Sequence, residues 1–432
     1  MVGPNADYGT FKDSRKAPIH RWFQYPAGYS FKLVEEKIHY HKIKPDDGPI
    51  FDPFLGTGTT ALAAQSMGFD AIGIEAHEFV YKVAQTKLDW PKYDTETIRL
   101  WIEHIEHHIQ SPLVISTAAA DFKTIPELVK KCYSDNNLLL LLKLKHAIKI
   151  TSDSKHMSLL ELSLTATLRT ASHAGTGWPY VAPSKHGSKK EEKSGLSEFI
   201  KHTNKFIEDI EKVKLVADKD SKSRAISGDS RIHQKEIEDG TVPITICSPP
   251  YLNNYDYADR TRLETYFFGH AKDWADITNK YRNKLMVAAT TQTKRTGFEP
   301  GNCMSAEFHR IAPKLAELLT NKVVELSKIR KTKGGKKSYD VMAASYFNDM
   351  LPIMQNTFRY SKKGAPFVLV LGDSAPYGVH FMTETLIGEL GLTIGFSSYS
   401  LEVLRERGGK WADNPQRHSV PLRECIVTLI KW

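Results

Sequence analysis

Residues 48–75 read GPIFDPFLGTGTTALAAQSMGFDAIGIE. A short apolar run enters a Gly/Thr-rich turn, and the Ala/Leu-rich face that follows predicts a helix from about Thr60 to Met67. Gly68 suits the C-terminal cap of that helix, because glycine takes the left-handed conformation a helix stop requires. Asp70 to Glu75 then reads as a second buried strand. Strand, loop, helix and strand in this order form a unit of a parallel α/β sheet, so the predicted fold class is α/β with helices on both faces. Upstream, Ser30 can cap a helix carrying Phe31, Val34 and Ile38 at spacings of three and four, which would lie against this unit.

Gly56, Gly58 and Ala61 satisfy the spacing G-x-G-x-x-G/A. Taken alone this spacing allows an NAD-type dinucleotide site, because glycines admit a ligand close to the backbone and the helix N-terminus offers free N–H groups. Glu75, at the end of the next strand, is placed to accept hydrogen bonds from ribose hydroxyls, or else merely ends a strand.

Further along, the texture changes between about Asp89 and Ser223. His- and Leu-rich helical segments (Trp101 to Ile109, Leu138 to Ile150) surround a polar stretch from Arg169 to Gly195 that reads as a long loop. Strand texture returns at Arg224 to Asp229 and Val242 to Tyr251, and a helical region carrying Leu263, Tyr266 and Phe267 follows. Between Lys328 and Lys337 there are six Lys/Arg and no acidic residue, which reads as a loop, either solvated or in contact with phosphates. Ala365 to Asp373 is a predicted strand, and two apolar runs, Leu392 to Leu404 and Glu424 to Ile430, close the chain.

Asp52-Pro53-Phe54 stands immediately before the glycines, and Ser248-Pro249-Pro250-Tyr251 follows a later predicted strand. Together these motifs resemble the amino-methyltransferases, the S-adenosylmethionine-dependent enzymes that methylate exocyclic amines of DNA bases. The resemblance implies a Rossmann-like class I methyltransferase sheet. It also implies a cofactor site made by Tyr29, Ser30, Asp52, Pro53, Phe54, Gly56, Gly58, Thr59, Thr60, Glu75 and Asp229, with Ser248, Pro249, Pro250 and Tyr251 as the catalytic tetrapeptide. It covers residues 21–90 and 224–432, including the run LNNYDYADRTRLETYFFG after Tyr251. The implied organisation is a cofactor-binding half (1–90), an inserted and mainly helical target-recognition region (91–223) and a catalytic half (224–432). The insertion falls before the Asp229 strand, which is a departure from the pattern and puts the role of Asp229 in question.

The chemistry accounts for S-P-P-Y. An exocyclic amine is a poor nucleophile because its lone pair is delocalised into the ring. Acceptors for both amine protons, here the Ser248 hydroxyl and the Pro249 carbonyl, would turn that lone pair toward the methyl group. Two prolines stiffen the bend, and Tyr251 offers a face for the base to stack on. A paired base cannot reach such a pocket, so the DNA partner is expected to be a duplex with its target base flipped out. Serine in the first position is more typical of cytosine N4 methylation, and Asp or Asn of adenine N6 methylation. Both remain open, as does an RNA substrate. Cys247 could instead attack a cytosine ring carbon, but it lies on a predicted buried strand, where a small apolar thiol is the usual occupant.

Base and phosphate contacts are expected from Trp178, Tyr180, Lys185, Lys189 and Lys190 in the unmatched region, and from Arg330, Lys331, Lys333, Lys336 and Lys337. The chain has 432 residues with 59 Lys/Arg against 50 Asp/Glu, a formal charge of +9 that agrees with a polyanionic partner. Hydrophobic residues at 41% exclude wholesale disorder. Cys132, Cys247, Cys303 and Cys425 form no Cys-x-x-Cys pair, which argues against a zinc cluster or disulfide framework and for a reducing cytoplasm. The run Leu138 to Leu142 is too short to span a bilayer, and no metal-ligand spacing is evident among the 17 histidines. A cognate restriction endonuclease is a further partner that the resemblance implies. An orphan methylase and a degenerate nucleic-acid-binding module are the alternatives.

Overall fold

The computed structural model describes residues 6–25, 28–174, 176–177, 180–181, 183, 191–215, 221–334, 337–407 and 420–432. Seven strands form one sheet: β1 (Ile50–Asp52), β2 (Ala71–Glu75), β3 (Arg224–Ser227), β4 (Thr245–Cys247), β5 (Pro366–Gly372), β6 (Phe396–Arg407) and β7 (Leu422–Lys431). Their order is β3-β2-β1-β4-β5-β7-β6. The first five are parallel, and β7 runs antiparallel between β5 and β6. All seven residues of β5 are buried, which is why this central strand reads as an unbroken apolar run. Its side chains alternate between two cores. Val368 and Val370 join one apolar cluster, while Phe367, Leu369 and Leu371 join the other.

The first core packs α1 (Phe31–Tyr40), α2 (Thr59–Ser66) and α3 (Glu78–Leu88) on the sheet. Ser30 caps α1, its side chain accepting from Lys32 N, and Leu33, Val34 and Ile38 form the buried face. Helix α2 is buried from Thr59 to Gln65 and ends where Gly68 takes φ +80°. Between α3 and β3 the chain builds five longer helices: α4 (Thr95–His108), α5 (Pro112–Thr124), α6 (Asp135–Thr151), α7 (Ser154–Ala171) and α8 (Gly195–Lys214). Their apolar side chains, Leu141, Leu160 and Phe206 among them, belong to the same cluster as the sheet.

The N-terminal segment fastens onto these helices. Asp209 of α8, 1% exposed, accepts from Ile19 N, Arg21 Nε and Nη2, and Trp22 Nε1, while the Trp22 ring stacks on Phe206 with centroids 4.4 Å apart. A carboxylate buried this deeply is tolerated because its oxygens are filled with donors.

The second core lies under α9 (Pro313–Thr332), α10 (Tyr339–Tyr360) and α11 (Thr383–Ile394). Here the expected loop at Lys328 to Lys337 is corrected, because α9 runs through its first five residues. Leu315, Leu319, Val323 and Leu326 hold the preceding turns against the core, and only at Gly334, φ +77°, does the backbone turn away. The polar stretch from Arg169 to Gly195 is likewise shorter than expected, since Arg169 is still inside α7 and Gly195 already opens α8. Similarly, the Leu392 to Leu404 run divides into the end of α11 and the start of β6, with Gly395 between them. No helix among the described residues is long and apolar enough to cross a membrane.

Candidate active site

The strand order reverses between β1 and β4, and the carboxyl ends of these strands border the crevice where α/β sheets bind ligands. Asp52 ends β1 at 1% exposure. One of its oxygens accepts Phe54 N at 2.8 Å and the other accepts Thr60 Oγ1 at 2.5 Å, so the carboxylate clamps both ends of the glycine loop. Gly56 (φ +53°) and Gly58 (φ +90°) take the left-handed turns that route the chain into α2. Gly56 N in turn donates to Glu75 Oε2 at 2.9 Å, and Glu75 Oε1 accepts His77 N at 2.7 Å. Burial pushes the carboxyl groups of both Asp52 and Glu75 up to about 7. Behind the loop, Lys87 donates to Thr57 O at 2.8 Å, and burial pushes its ammonium down to about 7.

This loop is one wall of a cavity of about 910 Å³, its open mouth included. Tyr29, Pro53, Phe54, Gly56, Thr59, Glu75, Asp229, Ser248 and Pro250 line it, so the cavity brings the glycine loop and the S-P-P-Y segment to one place. The remaining residues of the expected site do not line it. Ser30 is the cap of α1 and donates to Asp13. Thr60 bonds Asp52, the Tyr29 hydroxyl and Ile246 O. Gly58, Pro249 and Tyr251 also lie outside the lining. Asp229 is engaged by Arg231, whose Nε lies 3.0 Å from both carboxylate oxygens and whose Nη1 reaches Asp349 at 3.0 Å.

β4 delivers Ser248 to the cavity mouth. Its hydroxyl donates to Val370 O at 3.3 Å and also interacts with the Tyr251 hydroxyl. The Tyr251 hydroxyl donates to Glu424 Oε1 at 3.0 Å. Cys247 is fully buried, and burial pushes its thiol well above the ordinary range, so it offers no thiolate for attack.

Several lining residues were not singled out from the sequence: His77, Tyr257, the segment Lys284 to Met286, and Ile353, while Tyr25 opens the stretch to Ile38 that the resemblance covers. His77 stacks on Tyr281 with centroids 4.4 Å apart and bonds Thr261 Oγ1 through Nε2 at 2.9 Å; burial pushes it down to about 3, so the ring is neutral. Tyr257 lies within the run noted after Tyr251, and that proximity was the only available pointer to it.

Of the residues expected on DNA, Trp178, Lys185, Lys189, Lys190 and Lys336 lie outside the described residues. Tyr180 falls in a two-residue strand paired with Thr176–Gly177. Arg330 and Lys331 occupy the last turn of α9, and Lys333 and Lys337 are exposed beyond it.

A family model described as DNA methylase, covering N6 and N4 methyltransferases, matches residues 7–86, from the first turn through α3. The chain is similar over nearly its whole length to Type II methyltransferase M.BsoBI of Geobacillus stearothermophilus, at 24% identity over 97% of this chain and 86% of that protein. It is similar in the same way to Type II methyltransferase M.AvaI of Nostoc sp., at 24% identity over 96% and 87%. Type II methyltransferase M.ScaI of Streptomyces caespitosus is 38% identical over 86 residues, which are 20% of this chain and 26% of that protein.

The residues present fit S-adenosylmethionine. Glu75 and Asp229 place two carboxyl groups in the lining beside Lys284, and the Glu75 oxygens, which accept Gly56 N and His77 N, keep lone-pair capacity for a hydroxyl. Ile74, Leu285, Met286 and Ile353 supply apolar wall. Loop, carboxylates, tetrapeptide and relatives together support an S-adenosylmethionine-dependent DNA amino-methyltransferase.

Proposed function

We propose that the protein is a DNA methyltransferase of a restriction-modification system acting on the exocyclic N4 of cytosine. The observation that carries this reading is one cavity lined by the glycine loop, Glu75, Ser248 and Pro250 together. S-adenosylmethionine supplies an electrophilic methyl group when bound. The chain's own task is orientation: the loop 53–59 and Glu75 would hold the donor, while Ser248 and the Pro249 carbonyl would accept hydrogen bonds from the amine of the target base. The Val370 carbonyl takes the Ser248 hydroxyl hydrogen and so favours the acceptor role. No covalent intermediate with the enzyme is needed, in agreement with the buried, protonated Cys247.

In this reading the sheet is a Rossmann-like class I methyltransferase core, split into residues 1–90 and 224–432, with residues 91–223 as a target-recognition region. Arg169 of α7 supports a role for these helices close to the target: its Nη2 reaches Glu264 Oε2 at 3.0 Å and Arg260 O at 2.7 Å, both in the segment that follows Tyr251. The DNA would be a duplex with a flipped base, its phosphates held by exposed Lys and Arg, and the setting a prokaryotic cytoplasm with a cognate endonuclease.

The test is incubation of labelled S-adenosylmethionine with unmethylated DNA and with RNA, followed by nucleoside mass analysis. Label in 4-methylcytosine is the expected result. Label in 6-methyladenine would move the target to adenine, and label confined to RNA would overturn the DNA substrate.

A further inference from the structure

Tyr251 is anchored by strands that lie far from it in the chain. Its hydroxyl donates to Glu424 Oε1 at 3.0 Å; Glu424, 2% exposed on β7, gives its other oxygen to Arg405 Nε of β6 at 2.7 Å. Arg407 lies over the Tyr251 ring, its guanidinium carbon 5.2 Å from the centroid. This approach depends on Gly372 at the end of β5, where an added Cβ would stand 2.8 Å from Tyr251 Cδ2 and collide with Arg407 Nη1. The turn Ala6–Gly9 closes the cluster from another side, since a Cβ on Gly9 would collide with the Glu424 carboxylate.

A phenol donating to a buried carboxylate makes a strong, directional bond. Burial first, and Glu424 next, push the Tyr251 hydroxyl well above its ordinary value, so it stays a donor at working pH. A base stacking on Tyr251 would have to take the face opposite Arg407.

We propose that Glu424 is a positioning residue for methyl transfer: by accepting the Tyr251 hydroxyl it fixes the ring plane against which the target base stacks, with Arg407 on the opposite face. This rests on reading Ser248 to Tyr251 as the target-base site. The full chain is assayed with tritiated S-adenosylmethionine on amplified, unmethylated DNA of several kilobases, and its affinity for S-adenosylhomocysteine is measured by calorimetry. Glu424→Ala is expected to lower kcat/KM for DNA about 10- to 100-fold, the loss of one charge-assisted bond, with S-adenosylhomocysteine affinity within about twofold. Glu424→Gln, which keeps an acceptor oxygen, is expected to recover most of the rate. Tyr251→Phe combined with Glu424→Ala is expected to lose less than the product of the two single losses, because both remove the same bond.

Losses that multiply, a Glu424→Gln as defective as Glu424→Ala, or a parallel loss of S-adenosylhomocysteine binding would each overturn the positioning role. If Tyr251→Ala is inactive while Glu424→Ala keeps full turnover, the role of Glu424 fails and the target-site reading stands. Full turnover of Tyr251→Ala would sink that reading itself.

Discussion

The two walls of the cavity are held in opposite ways. On the donor side most bonds are short in sequence: Asp52 to Phe54 spans two residues, Asp52 to Thr60 eight and Glu75 to Gly56 nineteen, with longer ties from Thr60 to Ile246 O and from Ser230 to Pro53 O. On the target side Ser248 bonds Val370 across 122 residues and Tyr251 bonds Glu424 across 173. The first wall is a loop shaped mainly by β1 and β2, with ties to Ile246 of β4 and to Ser230. The second is assembled only when β4, β5, β6 and β7 are all in register. Perturbing the two walls should therefore separate binding of the donor from use of it.

The largest effect is expected at the target wall. Ser248→Ala and Tyr251→Ala should each cut methyl transfer about 100-fold or more, the scale of a lost transition-state contact, while changing donor affinity by less than about twofold in calorimetry. Equal loss of both quantities would erase the distinction between the walls. The mirror-image experiment is Glu75→Ala, expected to raise the dissociation constant of S-adenosylmethionine about 10- to 100-fold; Asp52→Ala should act in the same direction by releasing the loop. Turnover at saturating donor should be largely restored in both variants.

A pH titration sharpens the donor side further. Glu75 has its folded pKa raised to about 7, above the ordinary value of 4.5, so between these values the folded chain binds more protons than the unfolded one. Its contribution to stability is therefore fully present at the acid end of that window and is lost as pH rises toward 7. Donor binding runs the other way, because a cation and ribose hydroxyls want the carboxylate. Affinity should fall about tenfold per unit below pH 7 and level off above it, and Glu75→Gln should flatten both profiles.

Smaller effects should arise outside the two walls. Replacing Arg330, Lys331 and Lys333 together by Ala should weaken DNA binding without regard to sequence and make its salt dependence shallower by about two to three units, read from filter binding at several salt concentrations. Cys247→Ala should leave turnover within about threefold, since the buried thiol carries no step. A complete loss in a folded Cys247→Ala protein would reopen covalent attack.

This contrast between the walls also explains what the sequence could reveal. The β1-loop-α2-β2 unit, the Ser30 cap and the strand before Ser248 are local patterns, and each is present near the expected position. Glu424, Arg231 and the Lys284 to Met286 wall were not legible, because what recruits them is strand order and loop packing rather than any spacing. Charge misled at Lys328 to Thr332, where a basic surface concealed the helical period of Leu315, Leu319, Val323 and Leu326 beneath it. Ser30, Asp52 and Thr60 were legible as residues but not in their place: they brace the loop and its neighbouring helix from behind, while the cavity is lined by their neighbours.

The bond from Tyr251 to Glu424 has a consequence for the timing of synthesis. Among the described residues β6 pairs only with β7, so it waits at the sheet edge until the later strand exists. At roughly 5–20 residues per second of translation, the 173 residues between the tyrosine and its partner correspond to roughly 9 to 35 s. Through that interval the nascent chain carries a finished donor loop beside an unbraced target site. On the proposed role of Glu424, a chain cut short before β7 would hold the donor loop and transfer no methyl group.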